Sequence, residues 1–183
     1  MKEAAAKGLS NLETTPDALP HLLDKKNVEL FATHKIYTEN ELKSRLEILL
    51  ENYCHILGIE AATMADMTRK DILPAVSSFV TDLATAVNTA KEAGIEVKGS
   101  YEELTAKELS RLKATAFGEL ILLEKAARKA KEIADSKERA VYYKNSVIPV
   151  MEALRATVDT MEKLTCEDYW PMPNYGDLLF GVM

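Results

Sequence analysis

Apolar side chains recur at three- and four-residue steps through most of this chain, the spacing of one helix face. Leu42, Leu46, Leu49, Tyr53 and Ile56 form the first stripe. It runs on through Met64, Met67, Ile72, Ala75, Phe79, Leu83 and Ala86 to Ala90. The pattern predicts one very long helix from Glu39 to Ala93, interrupted by Gly58 and Pro74. In an exposed helix interior Gly costs about 1 kcal/mol and Pro about 3 kcal/mol, amounts that tertiary packing can outweigh. The expectation is a kink near residues 70–74 and not two separate helices. Gly94 ends this element, and Gly94 to Ser100 reads as the clearest loop.

A second stripe follows: Leu109, Leu112, Ala116, Leu120, Leu123, Ala127, Ala130 and Ala134. After Asp135-Ser136, a third runs through Val141, Ile148, Met151, Leu154, Val158 and Met161. It predicts a helix over Lys137 to Leu164, bent at Pro149, which cannot donate to the Asn145 carbonyl. Short connections between long helices imply an all-α fold, an elongated antiparallel three-helix bundle. Its first helix would extend ~80 Å at 1.5 Å per residue, and its partners cover about half of that. The Leu42 to Ile56 stripe therefore needs another surface.

Short helices precede the bundle. One is expected over about residues 2–12. Another starts near Thr15-Pro16-Asp17, with Thr15 as cap, Pro16 at the first helical position and Asp17 at the positive end. A third is expected from Asn27 as cap through Val28 to His34. Thr38, with Glu39 and Glu41 behind it, reads as the cap of the long helix. The natural divisions are residues 1–37, 38–168 and 169–183.

Composition supports helix: Ala, Leu, Glu and Lys dominate, while seven Gly and six Pro are few for a β-rich fold. The formal charge of −6 offers no basic stripe for a nucleic acid or an anionic membrane. No apolar run is long enough to span a bilayer, and Met1 to Gly8 lacks a secretory h-region. Cys54 and Cys166 are far apart with no CxxC, which points to reduced structural thiols in a cytoplasmic protein.

Candidate chemistry is sparse. His21, His34 and His55 form no HxxxH or HExxH pattern, and no Cys stands at ligand spacing from them. Glu47, Glu51, Asp66 and Asp71 lack the Glu-x-x-His pairs of a bundle di-metal site. They read as a solvated face, with an ion pair such as Glu41–Arg45. Phosphate-binding glycine loops are absent. Ser44-Arg45 and Asp66-Met67 are open to a ligand in a larger assembly, with nothing local demanding one. No catalytic, cofactor-binding or metal-binding residue is expected in this chain.

The last stretch differs from the rest. Tyr169-Trp170-Pro171-Met172-Pro173-Asn174-Tyr175-Gly176-Asp177-Leu178-Leu179-Phe180 gathers the single Trp with two Tyr, a Phe and two Pro. A tail this apolar is expected to dock on a surface, its own or a partner's.

That ending resembles the C-terminus of type III glutamine synthetases. Ordered blocks upstream extend the resemblance over roughly residues 14–182. Thr14-Thr15-Pro16-Asp17-Ala18-Leu19-Pro20, Val28-Glu29-Leu30-Phe31 and Tyr37-Thr38-Glu39 look like the end of the catalytic domain. The stretches from Glu41 to Ile48, Ile59 to Met67 and Asp71 to Ala75 resemble the type III form. The resemblance implies a parent enzyme that ligates ammonia to glutamate using ATP and Mg2+ or Mn2+. The metal-holding glutamates of such a cleft have no counterpart here. It also implies, as partners, the parent's catalytic domain and neighbouring subunits of a homo-oligomer. The surfaces expected to serve them are Leu42, Leu46, Leu49, Tyr53 and Ile56, with Tyr169, Trp170, Tyr175, Leu178, Leu179 and Phe180 in the tail. A stand-alone helical regulator binding an intact synthetase, or a plain scaffold, would share these stripes.

Overall fold

Thr38 starts the longest helical stretch through a reciprocal pair of contacts. Its backbone N–H donates to Glu41 Oε2 at 2.7 Å, and the Glu41 N–H reaches Thr38 Oγ1 at 3.3 Å. Two donors that the first turn leaves without helical partners are thus satisfied. The computed structural model describes residues 6–8, 10–173 and 175–181. Among the described residues every regular element is helical and none is a strand. Of the helix expected over residues 2–12, residues 2–5 and 9 lie outside the described ones; Ala6 is helical, but residues 7 and 8 form a turn and residues 10–12 no regular element.

The α-helices are α1 (Thr15–Ala18), α2 (Lys25–Thr33), α3 (Glu39–Met67), α4 (Leu73–Glu92), α5 (Tyr101–Glu132), α6 (Ser136–Tyr142), α7 (Ile148–Leu164) and α8 (Tyr175–Phe180). Short 3₁₀ turns cover Leu19–Leu23 and Glu167–Tyr169. The start signals shift by a few residues from the sequence reading. Thr14, not Thr15, precedes α1. Asp24, not Asn27, precedes α2, and Asn27 instead donates to the His21 carbonyl at 2.6 Å. Asp135 caps α6 by accepting from the Glu138 N–H at 2.8 Å.

The kink expected near residues 70–74 is a π turn, Thr68–Ile72, whose widened ring closes from the Leu73 N–H to the Thr68 carbonyl. Pro74 follows directly. The same device precedes Pro149: Tyr143–Val147 is a π turn closed from the Ile148 N–H to the Tyr143 carbonyl. A proline ring clashes with the carbonyl four residues back, and the extra residue of a π turn gives it room. At the far end of α4, Gly94 adopts φ +77°. The Ile95 N–H bonds Ala90 O at 2.9 Å and the Gly94 N–H bonds Lys91 O at 3.0 Å. Both bonds of a Schellman stop are present.

The chain divides into two compact units, residues 1–60 with 126–149, and residues 61–125 with 150–183. In the first, Leu42, Leu50, Cys54, Ala140, Tyr143 and Val147 are buried. Lys144 reaches back to Asp17 there, at 2.7 Å. Gly58 allows close approach, since a Cβ at that position would stand 3.0 Å from the Tyr143 hydroxyl. In the second unit the core comes from Val76, Phe79, Leu83 and Val87 of α4, Leu109, Leu112, Ala116, Leu120 and Leu123 of α5, and Leu154 and Met161 of α7. The second stripe thus lies where the sequence placed it through Leu123. Arg69 grips Glu124 with two bonds from Nη2, at 2.8 and 2.9 Å.

Candidate functional site

Helix α3 needs one face for its own unit and offers another to solvent. The buried face passes through Leu42, Leu50 and Cys54, with Leu46 and Tyr53 half-buried beside it. The stripe expected to dock elsewhere is therefore divided. Leu42 is 1% exposed and packs inside its own unit, whereas Leu49 and Ile56 are 43% and 47% exposed. Ile48 and Ile59 are exposed as well. At about 100° per residue, Ile48, Leu49, Ile56 and Ile59 fall within an arc of about 100°. They make one exposed apolar stripe, interrupted by exposed Asn52 between Leu49 and Ile56.

At its N-terminal end the stripe borders a shallow hollow of about 510 Å³, lined by Asn40, Glu41, Ser44, Arg45, Ile48 and Leu49. The Arg45 guanidinium lies 4.2 Å from the centre of the Tyr37 ring, and that ring tilts against Phe31 at 5.6 Å. Arg45 is thus held by a cation–π contact. Glu41 turns back to Thr38, not along the helix to Arg45; the Thr38 backbone N–H and hydroxyl hold its carboxyl below the ordinary range.

The tail begins with a latch. The Tyr169 ring packs on Phe79 with centroids 5.1 Å apart, and its hydroxyl donates to Asp82. Bonding to that carboxylate, with burial behind it, raises the Tyr169 phenol. Trp170 is half-buried. Beyond it the chain turns outward: Leu178, Leu179 and Phe180 are 68%, 70% and 80% exposed. The Tyr175 side chain lies outside the described residues. A shallow groove of about 520 Å³ starts at Asp82 and follows α4 to Ile95.

Sequence reasoning missed Ile48 and Ile59, and it missed Phe117 and Ile121 on α5, which are both 47% exposed. On α5 the signal was two apolar residues four apart, Phe117 and Ile121; on α3 it was Ile48 and Ile59, eight before and three after Ile56.

Among the described residues no three His, Cys, Asp or Glu side chains gather as a cation site would need. His21 Nδ1 pairs with Asp24 at 2.8 Å, and Asp66 pairs with Lys70 at 2.6 Å. Among the described residues no helix is long and apolar enough to cross a membrane. The prominent features are apolar surfaces.

A family model described as the glutamine synthetase C-terminal domain matches residues 1–91. A glutamine synthetase of Butyrivibrio fibrisolvens is 34% identical over 182 residues, which take in 100% of this chain and 26% of the relative. A glutamine synthetase of Bacteroides fragilis (strain YCH46) is 31% identical, over 98% of this chain and 25% of its own length. A type-3 glutamine synthetase of Dictyostelium discoideum is also 31% identical, over 97% of this chain and 25% of its own. The chain spans about a quarter of the length of these curated relatives.

Proposed function

This chain is a C-terminal domain of the glutamine synthetase family, and from that premise we propose that it is the structural and oligomerisation region of a type III enzyme. In this reading it braces the catalytic part and supplies contacts to neighbouring subunits of a cytoplasmic homo-oligomer. The parent would ligate ammonia to glutamate, with ATP and Mg2+ or Mn2+ bound outside these residues. The antiparallel three-helix packing and the docking tail expected from the sequence belong to the same proposal.

One observation carries the reading. Ile48, Leu49, Ile56 and Ile59 form an exposed apolar stripe on a well-capped helix, in a chain matched over its length by about a quarter of each relative. Isolated exposed apolar residues are ordinary on a protein surface. Four on one face, beside a hollow with a fixed arginine, are what a contact surface requires.

Deleting residues 170–183 from the enzyme that carries this region tests the tail's part. Native mass spectrometry should then find smaller assemblies than in the intact enzyme. An oligomer of unchanged mass and stability would remove the tail from the assembly surface.

A further inference from the structure

We propose that Leu178–Phe180 is the tip of a strap that closes over the α4 groove of its own chain. In the structure the tip stands open, with all three side chains largely exposed. The groove stands open too: Ala86, Ala90, Ala93 and Ile95 line it, with Thr85 and Thr89 between them. A tip of Leu, Leu and Phe matches walls of methyl groups, and the groove's one charged residue, Asp82, is at its mouth.

The tail's latch is continuous with the groove, which selects this occupant. Tyr169 is fixed to α4 by Phe79 and by Asp82, and Asp82 is also the first lining residue of the groove. The strap therefore leaves its anchor at one end of the surface it would cover. Six positions separate Tyr169 from Tyr175, where α8 begins, and a chain of that length spans at most about 20 Å; Leu178 lies about 4.5 Å further along the helix. The groove follows thirteen residues of chain from Asp82 to Ile95, about 20 Å at the helical rise. The tip can reach any point along it. A tether this short holds the tip at an effective concentration on the order of millimolar, far above that of a second molecule in dilute solution.

Closure would hide apolar side chains of the tip that an assembly contact would use, so the two states exclude each other. The strap itself does not depend on the assembly reading. It is tested on this chain at high dilution, whereas the assembly reading is tested on the mass of the larger enzyme.

The test is disulfide trapping in the full chain, with exposed Cys166 changed to Ser and buried Cys54 retained. One variant carries Ala86→Cys with Leu179→Cys; the control carries Asn88→Cys, on the exposed side of α4 away from the groove, with Leu179→Cys. In dilute protein under mild oxidation, the groove pair should close within one chain about tenfold faster than the control pair. Equal rates would overturn the proposal, as would the absence of any cross-link. A predominance of cross-linked dimer would also overturn it and assign the tip to a second copy.

Discussion

Lys144 Nζ stands 2.8 and 2.7 Å from the two carboxylate oxygens of Asp17, joining residues 127 positions apart within one unit. It ties the first short helix to the π turn that precedes Pro149. The Lys144 bond is the main reason the Asp17 carboxyl is held below its ordinary range; the Thr14 hydroxyl adds to it. The folded chain therefore keeps this group ionised to lower pH than the unfolded chain does. Its contribution is complete above the ordinary carboxylate value of about 4 and is lost as pH falls through the lowered folded value. Asp17→Asn should flatten that part of the stability profile and leave the slope near neutral pH unchanged. Urea unfolding of both proteins at a series of acidic pH values reads the difference.

Gly58 and Tyr143 make a second pair. A methyl group at residue 58 would lie 3.0 Å from the phenolic oxygen, and Tyr143 is only 3% exposed. Replacing a helical Gly by Ala contributes about 1 kcal/mol in the absence of crowding, while overpacking a buried site costs about 1–3 kcal/mol. Gly58→Ala is expected to destabilise the wild type by about 1 kcal/mol. In a Tyr143→Phe background the obstructing oxygen is gone, so the same change should become stabilising. A double-mutant cycle by chemical denaturation shows the change of sign.

Lys35 closes α2 with φ 54°, a left-handed conformation that Gly adopts without penalty. Its N–H bonds Ala32 O at 3.0 Å and the next N–H, of Ile36, bonds Phe31 O at 3.0 Å, the same stop that Gly94 makes in α4. Lys35→Gly should therefore stabilise the chain by about 1 kcal/mol, and Lys35→Ala should not. Thermal unfolding of the two variants compares them directly.

The two thiols should behave differently toward a maleimide. Cys166 is exposed, and Cys54 is 5% exposed. Burial pushes the Cys54 thiol up, against the opposing pull of the Arg139 guanidinium. One equivalent of label is expected to react quickly at Cys166. The second should wait for denaturant, which mass analysis of the labelled peptides resolves.

Much of the fold was legible because its punctuation is chemical. Thr38 with Glu41, Gly94 with its loop and Asp135 before α6 are all local signals, and the structure uses each of them. The second stripe was legible because large aliphatic residues carry it. The phase of α3 was not. Its buried face steps from Leu46 through Leu50, Cys54 and Leu57 to Ala61, with the small Cys54 and Ala61 at two of its turns. Leu49 and Ile56, as large as Leu50 and Leu57, lie one step off and drew the stripe toward solvent. The π turn at Thr68–Ile72 then adds a residue to the repeat, so the α4 core falls on Val76 and Val87, while Ala75 and Ala90 are half-buried and Ala86 is exposed. No local pattern announces that extra residue; Pro74 only marks where one is useful. Which exposed stripe meets a partner depends on atoms beyond this chain, so periodicity alone could not single out Ile48 and Ile59.

The central claim is that this region serves assembly through the exposed stripe of α3. Its most direct test is the mass distribution of the enzyme that carries the region, with Ile48→Glu and Ile56→Glu introduced together and helicity checked by circular dichroism. Both residues are exposed, so the region should stay folded while the assembly falls to smaller species at equal protein concentration. An assembly of wild-type mass that resists dilution as the wild type does would contradict the account.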